Sequence, residues 1–373
     1  MINRQSARDF FAIEAQRTRK RLCALCVSVM ILLFAQGIFA DTSTTLLIST
    51  FGKQPRVALG RGSEIYVVFG RGNSIFLQLS EDHGKTFSEP AKVADVDQLM
   101  LGSRRGPQLA VTEKYVTVIA TGKAGNLQAW RSVDRGLSWT GPVNVNDEQK
   151  TAGEGLHALS ALKGDEIFAT WLDLRLGKND LFGARSSDGG KTWSKNILIY
   201  HSPDGHICEC CNPSVASDGK RRVYVMWRNW LSGARDIYAA SSKDGGQTFG
   251  PATRLGSGTW VLKACPMDGG SLALTAKGEV RTVWRREDKI FGSGISGTEI
   301  LLGQGTQPVI AESRNGSYIL WQSNGSILMV GPKKKETVVL GKGLFPSVAP
   351  NSSSRHSPVA VWEDDQGIRF LAM

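Results

Sequence analysis

Four cysteines have the residue type and spacing for metal binding or disulfide formation. Three of them lie in one tetrapeptide, Cys208-Glu209-Cys210-Cys211, and the fourth, Cys265, lies further along the chain. Thiolates are soft ligands that suit Cu(I) or Zn(II), and His201 or His206 could complete such a site. In an exported chain an even number of cysteines also favours disulfides. The alternatives at this cluster are therefore one or two disulfides, a Cu or Zn site, and a redox-active pair.

Charged side chains follow several short apolar runs that end in Trp. The segments are Asp173-Leu174-Arg175 after Trp171, Arg228-Asn229-Trp230 and Arg235-Asp236 after Trp227, and Arg285-Arg286-Glu287 after Trp284. Arginine forms bidentate contacts with carboxylates, and two carboxyl groups, such as Asp173 and Glu287, are what most glycoside hydrolases use. The candidate catalytic residues are Asp173, Arg175, Arg228, Asp236, Arg285 and Glu287. The candidate binding residues are Arg56, Arg105, His206, Trp230 and Asp268.

An eight-residue phrase occurs four times and indicates the architecture that must position these residues. Its first copy is Ser80-Glu81-Asp82-His83-Gly84-Lys85-Thr86-Phe87. The Asp side chain can accept hydrogen bonds from backbone N–H groups ahead of it and close a turn. The Gly two positions later adopts backbone angles that other residues resist. The phrase recurs about every 50 residues, which indicates a repeat architecture, and its aspartates are Asp82, Asp134, Asp188 and Asp244.

A second repeat is an apolar run that ends in an aromatic residue. The runs end at Phe69, Trp171, Trp227, Trp284, Trp321 and Trp362, and Val118-Ile119-Ala120 is a weaker copy. Seven such units of short strands, without long helical periodicity, predict an all-β β-propeller with seven blades. Six blades are the alternative, if the units after Gly269 fuse. The last unit is too short for four strands, so we expect a strand at Thr44–Thr50 to complete it and close the ring.

The phrase Ser-x-Asp-x-Gly-x-Thr/Ser-Trp/Phe resembles the Asp-box, or bacterial neuraminidase repeat, of the sialidase-like β-propellers. The resemblance implies a single propeller domain over residues 41–373, with the four Asp-boxes as structural turns on one face. The cysteines and the charged loops then share the opposite face, around the central opening. The resemblance also implies a sialidase-like glycoside hydrolase, in which three arginines hold the substrate carboxylate, a Tyr supported by a Glu is the nucleophile and an Asp is the acid/base.

The sequence departs from that family's catalytic pattern at two points. The family's first arginine lies in a Phe-Arg-Ile-Pro phrase, whereas the strand here reads Gln54-Pro55-Arg56-Val57. After the fourth Asp-box the only tyrosine is Tyr318, which lies in a predicted strand and is expected in the core. The sequence thus favours a propeller that handles a glycan or another anionic ligand on its central face. The alternative is a periplasmic metal-binding, redox or assembly scaffold built on the cysteine cluster.

The N-terminal region predicts export. A basic cluster at residues 17–21 is followed by the uncharged stretch Leu22–Ala40, as in a secretory signal peptide. An uncleaved anchor over residues 22–40 is the alternative, because about 17–25 apolar residues span a bilayer. We therefore expect a periplasmic or secreted protein, with residues 1–40 as its signal peptide.

The net charge of +11 favours anionic partners. The sequence contains no Gly-rich phosphate loop, no nucleic-acid motif and no His-Glu-x-x-His metal motif. The expected partner is a glycan or an anionic small molecule, with a periplasmic protein as a further partner. Nucleic acid is not expected to bind.

Overall fold

The computed structural model describes residues 45–332, 336–350 and 358–373. Every regular element in these residues is a β-strand, and the 28 strands form seven sheets of four strands each. The predicted signal peptide or anchor at residues 1–40 lies outside the described residues. The part of the chain that the structure describes contains no apolar helix long enough to cross a membrane.

The first strand, β1 (Leu46–Ser49), belongs to the last sheet, and the next sixteen strands form blades 1 to 4. Blade 1 contains β2 (Lys53–Leu59), β3 (Ile65–Arg71), β4 (Ser74–Ser80) and β5 (Ala91–Asp95). Blade 2 contains β6 (Gln108–Val111), β7 (Val116–Thr121), β8 (Leu127–Ser132) and β9 (Thr140–Asn144). Blade 3 contains β10 (His157–Ala161), β11 (Ile167–Asp173), β12 (Asp180–Ser186) and β13 (Ile197–Tyr200). Blade 4 contains β14 (Ser214–Ser217), β15 (Val223–Arg228), β16 (Ile237–Ser242) and β17 (Thr253–Arg254).

The remaining strands form blades 5 to 7 in the same order, from the inner to the outer strand. Blade 5 contains β18 (Ser271–Leu274), β19 (Val280–Arg286), β20 (Lys289–Gly294) and β21 (Ile300–Gln304). Blade 6 contains β22 (Thr306–Ser313), β23 (Gly316–Ser323), β24 (Ser326–Val330) and β25 (Val338–Lys342). Blade 7 contains β26 (Leu344–Ala349), β27 (Val359–Glu363) and β28 (Ile368–Ala372), with β1 as its outer strand.

The N-terminal strand closes the ring. Strand β1 pairs antiparallel with β28, with Leu46 opposite Phe370 and Leu47 opposite Arg369. Blade 7 thus takes three strands from the C-terminal end of the chain and one from the N-terminal end. The predicted closure and the count of seven blades are confirmed, and the six-bladed alternative is wrong, because the units after Gly269 form three separate sheets.

Each interface between neighbouring blades has its own hydrophobic cluster, so the core is a ring of seven clusters. At the closing interface, Val57 and Phe69 of blade 1 pack against Val361 and Phe370 of blade 7. The recurrent aromatic residue at the end of a second strand fills this layer. For example, Trp171 and Trp362 are almost completely buried, and their indole N–H groups donate to Asp173 and to the carbonyl of Lys342 respectively, as buried Trp requires.

The four Asp-box turns share one hydrogen-bond pattern, which the third box illustrates. Asp188 Oδ1 accepts from the Ser186 hydroxyl (2.8 Å) and from the Thr192 N–H (2.9 Å), and Oδ2 accepts from the Thr192 hydroxyl (2.7 Å). Ser186 Oγ in turn accepts from the N–H of Gly190 (2.8 Å), whose φ is 87°. The aspartates of all four boxes close turns in this way.

The connections between strands divide over two faces. The Gly189 carbonyl of the third box accepts a hydrogen bond from Thr117 of the neighbouring blade (2.8 Å), so the boxes lie beside the connections between first and second strands. On the other face, the Cys208 N–H donates to the Arg228 carbonyl (3.0 Å). This face carries the connections between second and third strands and those between blades, including Cys208 and Cys265. We call it the cysteine face.

We expect Asp188→Ala to lower the free energy of unfolding by about 1–3 kcal/mol, because it leaves two hydroxyls and a backbone N–H without their acceptor. Urea denaturation measures this. The matched control is Asp97→Ala, since Asp97 is exposed and its carboxylate makes no hydrogen bond to a described residue. The control should change stability by no more than about 0.5 kcal/mol. Equal effects of the two substitutions would contradict a structural role for the Asp-box.

Candidate functional site

Carboxylates of a neighbouring segment fix the points at which two inner strands begin. Gln54 and Gln307 each precede a proline and have φ values of 55° and 56°. The Gln54 N–H donates to Glu363 (2.5 Å), and the Gln307 N–H donates to Asp268 (2.8 Å). These bonds anchor the strand entries on the cysteine face and thereby position Arg56 on the wall of the central channel.

A cavity of about 110 Å³ lies in the channel and is lined by the inner strands of blades 1 to 6. Its polar lining includes Arg56, Gln108, His157 and Ser214. Arg56 forms no ion pair or hydrogen bond with another described residue. Nε2 of His157 and Oγ of Ser214 are buried without a hydrogen-bond partner. The cavity therefore offers three polar groups that no described residue satisfies.

The cavity is electrostatically positive. Burial lowers the pKa of the Arg56 guanidinium to about 10. Burial, reinforced by the charge of Arg56, lowers the pKa of Arg104 to about 9. Burial also lowers the pKa of His157 from its ordinary value of 6.5 to about 4. At neutral pH two guanidinium ions and an uncharged imidazole line this space, which favours an anion over a cation.

Arg104 crosses the channel beside this cavity. It lies in the connection between blades 1 and 2, and its guanidinium donates to the side chain and the carbonyl of Gln307 (2.7 Å each) and to the carbonyl of Pro346 (2.9 Å). These acceptors belong to blades 6 and 7. Unlike Arg56, Arg104 is therefore fully engaged in holding the far side of the ring.

Asp268 connects the channel with the loops of blades 4 and 5. Its Oδ2 accepts from the Gln307 N–H and lies 3.9 Å from Arg285 Nη1. Its Oδ1 is buried without a hydrogen-bond partner. Burial raises the pKa of the Asp268 carboxyl, while the Gln307 N–H and the neighbouring arginines oppose that change. Arg228 donates to the carbonyls of Asp268, Arg235 and Arg285 (3.0, 2.7 and 2.8 Å), so this candidate catalytic residue is structural.

Three cysteines form a buried cluster in the connection between blades 3 and 4. Their sulfurs lie within 4.8 Å of one another. Cys208 Sγ is 2.7 Å from Cys211 Sγ and 3.7 Å from Cys210 Sγ. All three are free thiols. The adjacent Cys210 and Cys211 thus both reach the same small volume as Cys208.

A buried guanidinium polarises this cluster. Arg235 Nη1 donates to Cys208 Sγ (3.1 Å), and its Nε donates to the Leu262 carbonyl (3.1 Å). Burial raises the pKa of Cys208, but hydrogen bonds with the other two thiols and the charges of Arg228 and Arg235 hold it well below its usual range. Burial and the neighbouring sulfurs raise the pKa of Cys211 well above its usual range. Of the three sulfurs, Cys208 Sγ is the one that accepts a hydrogen bond from a guanidinium.

Cys265 lies at the exposed side of the cluster, in the connection between blades 4 and 5. Its sulfur is 3.9 Å from Glu209 Oε1. A hydrogen bond with Cys210, and then burial, raise the pKa of Cys265 to about 11. His206 Nδ1 is 3.5 Å from Glu209 Oε2, and its ring stacks on Trp230 with centroids 4.2 Å apart. The structure thus brings two of the candidate binding residues, His206 and Trp230, beside the cysteines.

Asp173 and Arg175 are bound to each other. Asp173 Oδ1 accepts from Arg175 Nε (2.9 Å), and Oδ2 accepts from Trp171 Nε1 (2.7 Å) and the Thr151 hydroxyl (2.8 Å). Arg175 also pairs with Asp147 at 2.8 Å. Asp173 is completely buried, so its acceptor positions are filled by partners that hold blade 3 together.

The other candidates are dispersed over the cysteine face. Asp236 accepts from Arg254 (2.9 Å) and from the Thr259 hydroxyl (2.7 Å). Arg105 donates to the Glu154 carbonyl (2.7 Å), and His201 contacts Asp180 at 2.9 Å. Glu287 is exposed, and blade 4 separates its blade from that of Asp173. The structure does not bring the two proposed carboxylates into contact.

Four residues of these sites were not candidates from the sequence. They are Arg104, His157, Ser214 and Arg235. His157 and Ser214 are the first residues of two inner strands that are otherwise largely apolar. A polar residue at the start of such a strand was the sequence signal that could have identified them. Arg104 lies in a connection that carries no motif, whereas Arg235 belongs to the charged Arg235-Asp236 segment that follows Trp227.

A polar groove of about 260 Å³ lies between blades 5 and 6 on the cysteine face. Its lining consists of Arg285, Asp288, Gln304, Gly305, Thr306, Gln322, Ser323, Asn324 and Gly325. Arg285 joins this groove to Asp268, and Asp268 joins it to Gln307 beside the channel. An ion pair and a hydrogen bond therefore connect the groove to the residues beside the channel cavity.

Residues 115–277 match the family model of the BNR repeat-like domain. This segment includes the Asp-boxes at Asp134, Asp188 and Asp244. The match confirms the resemblance to the sialidase-type Asp-box propellers. No curated protein matches the sequence.

Several solved structures share the fold at low identity. An ulvan lyase, a polysaccharide lyase bound to a GlcA(1-4)Rha3S saccharide, has a TM-score of 0.56 and 12% identity over 88% of this chain and 96% of that chain. Virginiamycin B lyase from Staphylococcus aureus, solved with quinupristin, has a TM-score of 0.53 and 11% identity over 88% and 98%. AofleA from Arthrobotrys oligospora has a TM-score of 0.52 and 12% identity over 81% and 92%. At these identities the likeness establishes the propeller fold alone.

We expect His157 to make the protein sensitive to mild acid. Its pKa is about 4 in the folded protein and its ordinary value is 6.5, so the unfolded chain binds a proton that the folded protein excludes. The stability that this residue contributes is therefore present above pH 6.5 and lost as the pH falls towards 4, by about 3 kcal/mol. Urea denaturation across this range should show a clearly smaller decline for His157→Gln than for the parent protein.

Titration of the Asp-box carboxylates does not interfere with the measured change in stability between pH 6.5 and 4. Hydrogen bonds from Thr86 and Ser138 lower the pKa of Asp82 and Asp134 to about 2. Their contribution is present above their ordinary pKa of 3.8 and is lost only below it. If His157→Gln and the parent protein lost equal stability between pH 6.5 and 4, the assignment to His157 would be wrong.

Proposed function

We propose that this protein is an exported Asp-box propeller that binds an anionic saccharide, or a similar small acid, through Arg56 in the central channel. The observation that carries the proposal is a buried guanidinium without an ion pair among the described residues, in a cavity that also exposes unpaired polar atoms of His157 and Ser214. A buried charge is costly unless it is paired. A carboxylate or sulfate in this cavity would provide the missing partner, and Arg is the residue best suited to bind such a group in bidentate fashion.

The size of the cavity limits what enters it. Pockets for drug-sized ligands have volumes of about 300–1,000 Å³, whereas this cavity has about 110 Å³. It suits one charged group rather than a sugar ring. The neighbouring groove between blades 5 and 6 has about 260 Å³ and is lined by amides and hydroxyls, which is a suitable surface for the neutral part of a saccharide. The ulvan lyase bound to GlcA(1-4)Rha3S is an example of a propeller of this kind with an acidic saccharide.

Binding is favoured over sialidase-type turnover. Tyr318 lies in β23 and packs against the hydrophobic cluster between blades 6 and 7, so it is unsuited to act as a nucleophile. Asp173 and Asp236 are engaged in structural hydrogen bonds, and Arg56 is not part of a Phe-Arg-Ile-Pro phrase. The periplasmic or secreted location in this proposal rests on the sequence of residues 1–40.

Arg56→Gln should weaken binding of acidic ligands by at least about ten-fold, or about 1.4 kcal/mol, because it removes a guanidinium of the cavity that makes no hydrogen bond or ion pair with a described residue. The probes are N-acetylneuraminate, glucuronate-containing oligosaccharides and inorganic sulfate, measured by calorimetry. Neutral glucose oligosaccharides serve as the ligand control. Arg61→Gln is the matched variant, because Arg61 is exposed in the connection between β2 and β3 on the Asp-box face. Binding of every acidic probe that is unchanged in Arg56→Gln, or absent from the parent protein, would overturn the proposal.

We also expect little or no hydrolysis of a fluorogenic aryl sialoside. The expected rate is that of the protein-free solution, since the nucleophile and the three-arginine pattern of the family are not assembled. A parallel screen of other aryl glycosides tests the carboxylate-based alternative. Rapid sialoside turnover that Arg56→Ala abolishes would show that the channel is catalytic.

A further inference from the structure

We propose that Cys208, Cys210 and Cys211 form a thiolate site for one soft d10 metal ion, Cu(I) or Zn(II), with Cys265 as the fourth ligand for Zn(II). The site lies in the connections that lead into blades 4 and 5. It is distinct from the channel cavity and does not depend on the anion binding proposed above. Two independent observations point to it, namely the geometry of the sulfurs and the charge of their surroundings.

The sulfur positions are close to those of a metal site. Zn–S bonds are about 2.3 Å long, so tetrahedral ligation separates two sulfurs by about 3.8 Å. Cys208 Sγ and Cys210 Sγ are 3.7 Å apart, and all three sulfurs lie within 4.8 Å of one another. Cys211 Sγ, at 2.7 Å from Cys208 Sγ, must move outward by about 1 Å to ligate the same ion.

The surroundings provide positive charge that thiols alone do not balance. Arg235 is buried and donates to Cys208 Sγ at 3.1 Å, and Arg228 is buried behind it. Neither arginine forms an ion pair within 4 Å of a carboxylate among the residues that the structure describes, and Glu209 and Asp268 act on them only at longer range. Cu(I) with three thiolates, like Zn(II) with four, carries a net charge of two negative, for which these two guanidinium groups are the nearby counter-charges. A neutral disulfide between Cys208 and Cys211 would instead leave Arg235 without its anion.

The four cysteines differ in exposure, and this difference gives Cu(I) and Zn(II) different sets of ligands. Cys208, Cys210 and Cys211 are almost completely buried, whereas Cys265 is exposed. Cu(I) is satisfied by soft thiolate ligands in low coordination number, while structural Zn(II) is almost always four-coordinate. Zn(II) binding therefore requires Cys265, whereas Cu(I) binding requires only the buried cluster.

The test uses the full chain, reduced and stripped of metal under anaerobic conditions. Cu(I) and Zn(II) are then titrated separately against competing chromophoric chelators, and the bound metal is measured by elemental analysis. We expect one Cu(I), or one Zn(II), per chain. Cys208→Ser and Cys211→Ser should lose stoichiometric binding of both metals, and Cys265→Ser should lose Zn(II) and retain Cu(I).

A readout on the parent protein keeps the proposal testable if a serine variant does not fold. Bound Cu(I) should protect three thiols of the cluster from N-ethylmaleimide and bound Zn(II) should protect four, which mass spectrometry counts directly. Arg235→Gln should weaken Cu(I) binding by about 10–100-fold, as removal of outer-shell partners does. The proposal is overturned if the reduced parent protein retains neither metal, or if Cys208→Ser binds as tightly as the parent. It is also overturned by a mass that reveals disulfides and no metal binding after their reduction.

Discussion

The whole structure depends on the pairing of β1 with β28, because a propeller blade is stable only between two neighbours. Each of the seven interfaces contains its own hydrophobic cluster, and the cluster between blades 7 and 1 is assembled from residues at opposite ends of the chain. Without β1, blade 7 would expose the edge of β28. The interface between blades 7 and 1 is packed by residues from opposite ends of the chain, so no local segment could form it. These residues are Val57, Phe69, Val361 and Phe370. The channel, and every contact across it, exists only when this last interface closes.

The Asp-boxes made the fold predictable because each box closes its turn with hydrogen bonds among its own residues. An Asp that accepts from a hydroxyl two residues before it and from an N–H four residues after it needs only its own turn. Such a motif can be recognised in a single sequence, and the spacing between its copies gives the number of residues in a blade. The aromatic residue at the end of six of the second strands can be recognised for the same reason, since it supplies the large apolar side chain that packs at a blade interface. Blade 2, which has Ala120 at this position and no aromatic residue, was correspondingly the weakest copy.

The sites were less predictable because they consist of residues that meet only across the ring. Arg56, His157 and Ser214 come from three inner strands, and nothing in their own segments indicates that they share a cavity. Arg104 reaches Gln307 and Pro346 across the channel. The loops after the Trp residues are rich in Arg and Asp, but most of those charges neutralise one another, as Arg175 and Asp173 do. The cysteine cluster was visible in the sequence because three of its members are nearly adjacent, whereas the contact of Arg235 with Cys208, which distinguishes the cluster from simple packing, was not.

An imbalance of buried charge relates the two proposed sites. The ionised form of Asp268 interacts with Arg228, Arg285 and Arg104 together. The one buried carboxylate of Asp268 thus interacts electrostatically with guanidinium groups on both the channel side and the cysteine side. Because burial of an unpaired charge is costly, the remaining positive charge favours an anion at Arg56 and thiolate at Cys208. In the two proposals this excess is balanced by different chemistry, an acid in the channel and a metal-bound sulfur cluster in the connections that lead into blades 4 and 5.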